Sequence, residues 1–579
     1  MPSSNECDIL SSSTPADGTI PALAARQVRE RPNAPALTYR DEAGDHTLAY
    51  GELGRLVSAL GASLVARGLP AGGRVALLSE NRPEWAVAYL AAVSGGASIV
   101  PLDTQLRENE IRRCLMHCGA SFLVVSRAVA AAFAGRIDLP GVETLVIGHE
   151  GEDAPRSFDS AVAEGKRLLA SDDRRFRGRL DAVRPEDPAA ICYTSGTTGQ
   201  PKGIVLTHRN IASNVESCAR RIPVRSTDVF LSILPLHHTF AATANLLVPL
   251  AIGAEVFFGR SLKSRDIRED VEREGVTVMI GVPLLFERMA KAFDARIAEL
   301  PAARRLAFRT LGAAARALGR ITGADLAPRL FRRPRAAAGI GSLRFCISGG
   351  AALKEETERT LFSIGLPVLQ GYGMTEAAPV ISVNPLERPR RGTVGPPLPG
   401  VEVRIDAPDG DGVGEILARG PNVMAGYLDD PASTAEVLRD GWLYTGDLGT
   451  IGAGGYLAVA GRKKSVIVTA GGKNVYPDEI EMRLERSPYV LECVVLAAKD
   501  RKGNERIGAI VVPDYEAIAA ARGRMTDEEV KGLVAAETRA ACAELPEYKR
   551  VREIRIRGEE LPKTSTRKVR RHLVTWPVE

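Results

Sequence analysis

Residues 189–203 read AAICYTSGTTGQPKG, an apolar run that gives way to glycines, hydroxyl side chains and a lysine. AAICY (189–193) has the texture of a buried strand, so the segment Thr194–Gly203 leaves a strand at its carboxyl end. Open α/β sheets bind ligands at that end. Glycines let backbone N–H groups come close to an oxyanion, Thr194, Ser195, Thr197 and Thr198 can donate hydroxyl hydrogen bonds, and Lys202 supplies a charge. No Gly-Lys-Ser/Thr follows at Walker spacing, so this is not that kind of phosphate loop. Alone, the segment reads either as a flexible turn or as a phosphate cradle.

Outward from this segment the chain alternates two textures. Leu, Val and Ala recur at helical spacing over 50–68, and RVALLSE (74–80) is a short apolar run typical of a buried strand. A helix over 83–94, a strand over 97–102, a helix over 108–117 and a strand over 121–126 follow. Helices alternating with apolar strands predict parallel sheets with helices on their faces. The same texture returns at 228–234, 254–258, 276–281 and 343–347. After about residue 400, GVEVRI, VGEILARG and GYLAVAG read as short strands of a β-rich subdomain. Beyond Arg462-Lys463-Lys464, a helix is predicted from Pro477, which has proline at its start and acids in its first turn. Strands at 490–498 and 506–514 and a helix over 526–544 complete a small α+β domain. The expected organisation is a disordered tail over 1–19, a large α/β domain over 20–462 and a small domain over 463–579.

A chain of 579 residues is too long for one hydrophobic core. Its 76 basic and 71 acidic residues leave +5, too little to imply a nucleic-acid partner, and none is expected. The eight cysteines form no Cys-x-x-Cys pair and read as buried free thiols of a reducing compartment. The N-terminus lacks the basic and apolar regions of a signal peptide. The most apolar stretch, 85–102, is broken by Ser94-Gly95-Gly96 and falls short of a membrane span. A cytoplasmic placement is expected. From Pro301 to Ile340 there are nine arginines and one acid, Asp325, with Leu311, Ala315 and Leu318 at helical spacing. This helical insertion, about 296–340, reads as a solvated Arg/Ala-rich segment; a helix lying on the anionic inner membrane face is the alternative.

Four further stretches accompany the loop. GYGMTE (371–376) offers an aromatic that can stack on a base, then Thr and Glu that can hold a hard cation through oxygen. YTGDLG (444–449) places Asp447 in a turn, where a carboxylate can accept both hydroxyls of a ribose. GRKK (461–464) carries Arg462, and LPKTSTRKVRR (561–571) puts Lys563 and Lys568 in a hydroxyl-rich segment unsuited to a core.

With these motifs in this order, the chain from about residue 20 to 571 resembles the adenylate-forming superfamily of acyl-CoA synthetases, peptide-synthetase adenylation domains and firefly luciferase. The resemblance implies an AMP- and acyl-binding N-terminal domain and a mobile C-terminal domain. It also implies two half-reactions: a carboxylate attacks the α-phosphate of ATP, releasing pyrophosphate, and the thiol of coenzyme A then displaces AMP. Thr194, Ser195, Gly196, Thr197, Thr198, Gly199 and Lys202 match the pyrophosphate-holding loop. Thr375 matches the phosphate-contacting threonine and Glu376 the Mg2+ ligand, with Thr194 beside it. Tyr372 would stack on adenine, with Gly373 beside it among the nucleotide-binding residues and Gly350 and Ala351 walling the base and acyl pocket. Asp447 and Arg462 would bind ribose, and Lys568 would bridge the substrate carboxylate and the α-phosphate. Lys464 matches the hinge, and Gly471, Gly472, Lys473 and Asn474 the segment brought toward the thiol. His238 matches a channel-gating histidine; a structural histidine is the competing reading.

Two residues depart from the family pattern: Arg567 stands where glycine is frequent before the lysine, and His237 where an aromatic is frequent. The insertion and the GGKNVYPDEIE segment resemble the long-chain fatty acyl-CoA synthetases, and the small residues Gly349, Gly350, Ala351 and Ala352 would leave an open pocket rather than a specific polar one. The implied substrate is a medium- or long-chain fatty acid, with an aryl or short-chain acid as the competing reading. ATP, Mg2+ and coenzyme A are the implied cofactors and co-substrates. A second copy of the chain and a peripheral membrane surface are further candidate partners. Two rival functions are ligation to a free-standing carrier protein and a non-catalytic nucleotide-binding or membrane scaffold.

Overall fold

Pro83 opens the helix Pro83–Ser94, its ring occupying a first-turn position that needs no N–H partner. Every residue of that helix except Glu84 is buried, and Gly96, at φ +72°, turns the chain into the buried strand Ser98–Pro101. A helix apolar all round belongs inside a layered α/β body. The computed structural model describes residues 9–41, 44–133, 139–148, 156–195, 201–299, 301–303, 305–306, 310, 327–468, 474–499, 505–563 and 569–576. They fall into two compact units, Met1–Glu402 with Ala418–Leu443, and Val403–Leu417 with Tyr444–Glu579.

The first unit is built on two large sheets. One runs Val380–Val383, Val368–Gly373, Phe345–Ser348, Val278–Gly281, Val229–Ser232, Glu255–Phe258, Pro35–Asp41, Gly44–Ala49. Its six inner strands are parallel and its two edge strands antiparallel. The other runs Gly426–Tyr427, Pro201–Thr207, Pro188–Ser195, Ser98–Pro101, Arg74–Leu78, Phe122–Ser126, Glu143–Ile147, with its last five strands parallel. The strands Val278–Gly281 and Phe345–Ser348 and the first half of Val368–Gly373 are buried, as strands covered on both faces are.

The strand Pro201–Thr207 is absent from the sequence reading. Ile204 and Leu206 are fully buried while Lys202 and Val205 are half-exposed, a short alternation that only its antiparallel partner makes legible. Thr194 and Ser195 thus pair with Lys202 and Pro201 as the ends of the two arms of a β-hairpin.

In the second unit, residues 403–406, 414–417, 444–451 and 457–462 are strands of the β-rich subdomain. It also holds a three-stranded sheet, Val490–Lys499, Glu505–Pro513 and Glu553–Ile556, packed by the helices Pro477–Leu484 and Asp527–Cys542. Thr526 caps the second helix and Glu529 returns to the Thr526 N–H, a capping box written in the residues themselves. Ile480, Leu484, Val495, Ala509, Val511 and Val534 form the core between them.

Seven cysteines are described; all are buried and free, and burial pushes the Cys192 thiol up to about 11. Among the described residues no helix is long and apolar enough to cross a membrane. Of the arginine-rich segment, Leu311, Ala315 and Leu318 lie outside the described residues. Arg335 is buried and structural, donating to the Gly365 carbonyl at 2.7 Å and to the Leu343 carbonyl.

Candidate active site

The hairpin sets the first group of residues. Thr194 faces Lys202 and Ser195 faces Pro201 across it, so the two arms are in register up to the loop itself. Gly196, Thr197, Thr198 and Gly199 lie outside the described residues. The short strand Gly426–Tyr427 adds to the hairpin's outer arm, with Tyr427 opposite Ile204 and the Leu428 N–H donating to the Gly203 carbonyl at 2.7 Å. Gly426 is required there: φ is +151°, and a Cβ would stand 2.9 Å from Thr434 Cγ2. Asp430 then caps the helix Pro431–Val437 by accepting from the Ser433 N–H at 2.9 Å.

This folding puts three separate segments around one ring. Lys202 Nζ donates to Ser433 Oγ at 2.7 Å and lies 4.9 Å from the centroid of the Tyr427 ring, within cation–π range. The Tyr427 hydroxyl donates to Glu376 Oε1 at 3.1 Å. Burial, and then the neighbouring Glu376 charge, push the Tyr427 pKa well up, so the hydroxyl stays a donor. Glu376 sits in the turn Thr375–Ala377, tied down where the Met424 N–H donates to the Glu376 carbonyl at 2.9 Å and Asn422 Nδ2 donates to the Ala377 carbonyl at 2.8 Å.

A second group lies at the ends of two neighbouring parallel strands, Phe345–Ser348 and Val368–Gly373. Tyr372 is half-exposed, and Gly350 and Ala351 are exposed. Gly373 permits the turn: a Cβ there would stand 1.9 Å from the Pro379 carbonyl oxygen. Gln370 braces the Gly349–Leu353 loop, accepting from the Leu353 N–H at 3.1 Å and donating to Glu358 at 3.3 Å. The His237 and His238 rings are 4.2 Å apart, and His237 Nε2 is 3.5 Å from Asp103 Oδ2 without hydrogen-bond geometry. The Phe240 ring lies against Gly349, where a Cβ would be 2.7 Å away.

The second unit holds the remaining candidates. Asp447 faces Arg462 across two antiparallel strands and is ion-paired with it at 2.7 Å. Lys463 pairs with Glu415 at 2.7 Å, and Lys464 is exposed in the turn Lys463–Ser465. Asn474, exposed, begins the strand Asn474–Val475; Gly471, Gly472 and Lys473 lie outside the described residues, as does Lys568. The flanks of Lys568 are nevertheless well held. Lys563 and Val569 form an antiparallel bridge, Lys563 pairs with Glu492 at 2.9 Å, and Arg571 pairs with Asp478 at 2.9 Å and with Glu481.

No sequence motif points to Tyr427, Ser433 or Gln370. Asp430-Pro431 is a visible helix start, but nothing local marks Tyr427 as the neighbour of residues some 50 and 225 positions earlier. Glu376, with hydroxyls at Thr194 and Thr375, is a set of hard oxygen donors, the chemistry that suits magnesium when phosphate oxygens complete its shell.

Residues 24–428 match the family model described as AMP-binding enzyme, and residues 479–568 match its C-terminal domain. The chain belongs to the AMP-binding enzyme family. Relatives include a feruloyl-CoA synthase of an Amycolatopsis species, 32% identical over 84% of this chain and 87% of the relative. An indoleacetate–CoA ligase of Aromatoleum aromaticum is 32% identical over 91% and 92%. A long-chain-fatty-acid–CoA ligase of Mycobacterium bovis is 32% identical over 80% and 77%. Among solved structures, ATP-bound MatB from Rhodopseudomonas palustris matches with a TM-score of 0.74 at 29% identity, over 95% of this chain and 97% of the other. The adenylate-forming fold expected from the motifs is thus the fold of this chain.

Proposed function

We propose that the chain is an acid–thiol ligase that activates a hydrophobic carboxylic acid as its adenylate and transfers the acyl group to coenzyme A. The observation that carries this reading is the convergence of Lys202, Glu376 and the hairpin on one ring, Tyr427, at the end of the phosphate-loop strand. It is supported by the family and by relatives whose names are those of CoA ligases.

In this reading, charge builds on the α-phosphate and on departing pyrophosphate, and the chain presets donors and cations there. The hydroxyls of Thr194, Ser195, Thr197 and Thr198, the N–H groups of Gly196 and Gly199, and the Lys202 ammonium hold the leaving pyrophosphate. Thr375 donates to the phosphate that stays with the acyl group. Glu376 and Thr194 hold Mg2+, which when bound offsets phosphate charge. Tyr372 stacks on adenine against Gly373, Gly350 and Ala351, and Asp447 and Arg462 take the ribose hydroxyls. Lys568 bridges the two anions that react, so its contribution falls on adenylation. Lys464 is the hinge, Gly471, Gly472, Lys473 and Asn474 serve the thiol step, and His238 gates the channel.

For the acid, a medium- or long-chain fatty acid is supported by the arginine-rich insertion and by the small residues Gly349–Ala352. An aryl acid is the second reading, favoured by the Phe240 ring packed on Gly349 and by the feruloyl- and indoleacetate-ligating relatives. A panel of acids, short to long and aromatic, assayed with ATP, magnesium and coenzyme A for AMP formation separates them. AMP from no acid at all sinks the ligase, and AMP from aryl acids alone sinks the fatty-acid assignment. Pyrophosphate release without consumption of the thiol replaces coenzyme A by a carrier protein as acceptor.

A further inference from the structure

We propose that Tyr427 is a positioning residue that holds the phosphate-loop lysine and the metal-facing carboxylate in one arrangement, so that its hydroxyl strengthens magnesium-dependent binding of ATP. This rests on the adenylation reading of Lys202 and Glu376. The ring does two jobs from two directions: its face meets the Lys202 ammonium at 4.9 Å, and its hydroxyl meets Glu376 Oε1 at 3.1 Å. A hydrogen bond to a charged carboxylate is among the stronger kinds, and it orients the group that accepts it.

The ring itself is not free to drift. The Tyr427 N–H donates to Thr434 Oγ1 at 2.9 Å, and that hydroxyl donates to the Asp430 carbonyl at 2.8 Å, so the residue is fastened to the start of the following helix. On its other side Tyr427 is paired with Ile204, two residues from Lys202 on the same strand. The hairpin that presents Lys202 therefore also sets the height of the ring, and the ring sets the carboxylate. Glu376, from a turn 174 positions away, acquires a fixed relation to the loop through a side chain that touches both. Ser433 adds a further contact to the lysine, accepting from Nζ at 2.7 Å.

The experiment is calorimetric titration of ATP onto the full chain, in magnesium and in EDTA, for wild type and two variants. Tyr427→Phe keeps the ring under Lys202 and removes the hydroxyl. ATP affinity in magnesium should fall about five- to tenfold, within the net contribution of one intramolecular hydrogen bond, while affinity in EDTA stays at the wild-type value. Thr434→Ala keeps the whole tyrosine and loosens its backbone anchor, and should produce a smaller loss in magnesium, about two- to threefold. It also carries the test if Tyr427→Phe fails to fold. Wild-type behaviour of both variants in magnesium overturns the proposal, and so does an equal loss with and without magnesium, which would make the hydroxyl a general structural group. Absence of ATP binding by the wild type sinks the adenylation reading and this proposal with it; binding by the wild type with unaltered variants sinks this proposal alone.

Discussion

Asp447 and Arg462 form an ion pair across two antiparallel strands, with Arg462 Nε 2.7 Å from Asp447 Oδ1. The carboxylate is 6% exposed and the guanidinium 59%, so the acid is the sheltered partner and the arginine its cover. If these two residues hold ribose, Asp447→Asn keeps the shape and the strand register but halves the accepting capacity. Its KM for ATP should rise about tenfold or more, with little change in Tm. Arg462→Ala should raise the same KM and also lower stability by about 1–3 kcal/mol, because a sheltered carboxylate loses its partner. Steady-state kinetics with varied ATP, beside thermal unfolding, separates the two effects.

Lys568→Ala should divide the reaction in two. Acid-dependent exchange of pyrophosphate into ATP should drop by about 100-fold or more, the usual cost of losing a charge aimed at a developing anion. Thioester formation from supplied acyl-adenylate and coenzyme A should stay near wild type. Equal losses in both half-reactions would contradict the assigned role.

Gly373→Ala should damage the site through the backbone. The added methyl would stand 1.9 Å from the Pro379 carbonyl oxygen, a backbone atom that cannot step aside without moving the turn bearing Thr375 and Glu376. We expect a lower Tm together with loss of adenylation. A control at Gly178, inside the helix Arg174–Ala182 and with nothing near an added Cβ, should leave adenylation intact and raise rather than lower Tm, by up to about 1 kcal/mol of stability.

Glu358 supplies a pH prediction. Burial raises its pKa to about 7, only partly offset by the Arg391 charge and the hydrogen bond from Gln370. A carboxyl whose folded pKa lies above its unfolded value of 4.5 is bound as the acid more tightly in the fold. Its contribution is complete below about 4.5 and is lost as pH rises through about 7. Glu358→Gln, neutral at every pH, should therefore match wild type near pH 5 and exceed it at pH 8, by on the order of 1–3 kcal/mol. Unfolding scans at the two pH values check the sign; a variant less stable at pH 8 contradicts it. Gln370, which Glu358 accepts from, braces the Gly349–Leu353 loop, so ATP affinity measured alongside reports whether the change reaches that loop.

Much of this molecule was legible along the chain. The helix read over 83–94 is Pro83–Ser94, and the strand read over 121–126 is Phe122–Ser126, because apolar periodicity and Pro or Gly punctuation act within a few residues. The helix read over 526–544 is Asp527–Cys542 for the same reason. The motifs that resemble the adenylate-forming enzymes identify the family, since each is a contiguous run of residues. The strand Pro201–Thr207 was not legible, since its alternation spans only a few positions and gains meaning from the partner it lies against. The order of the sheets was not legible either. It brings Gly426–Tyr427 to the hairpin's edge and Glu376 to the tip of the same ring, uniting residues 202, 376 and 427. Local propensity carries no information about which distant strand becomes a neighbour. That choice is made by burial of whole faces, and the contacts around Tyr427 follow from it.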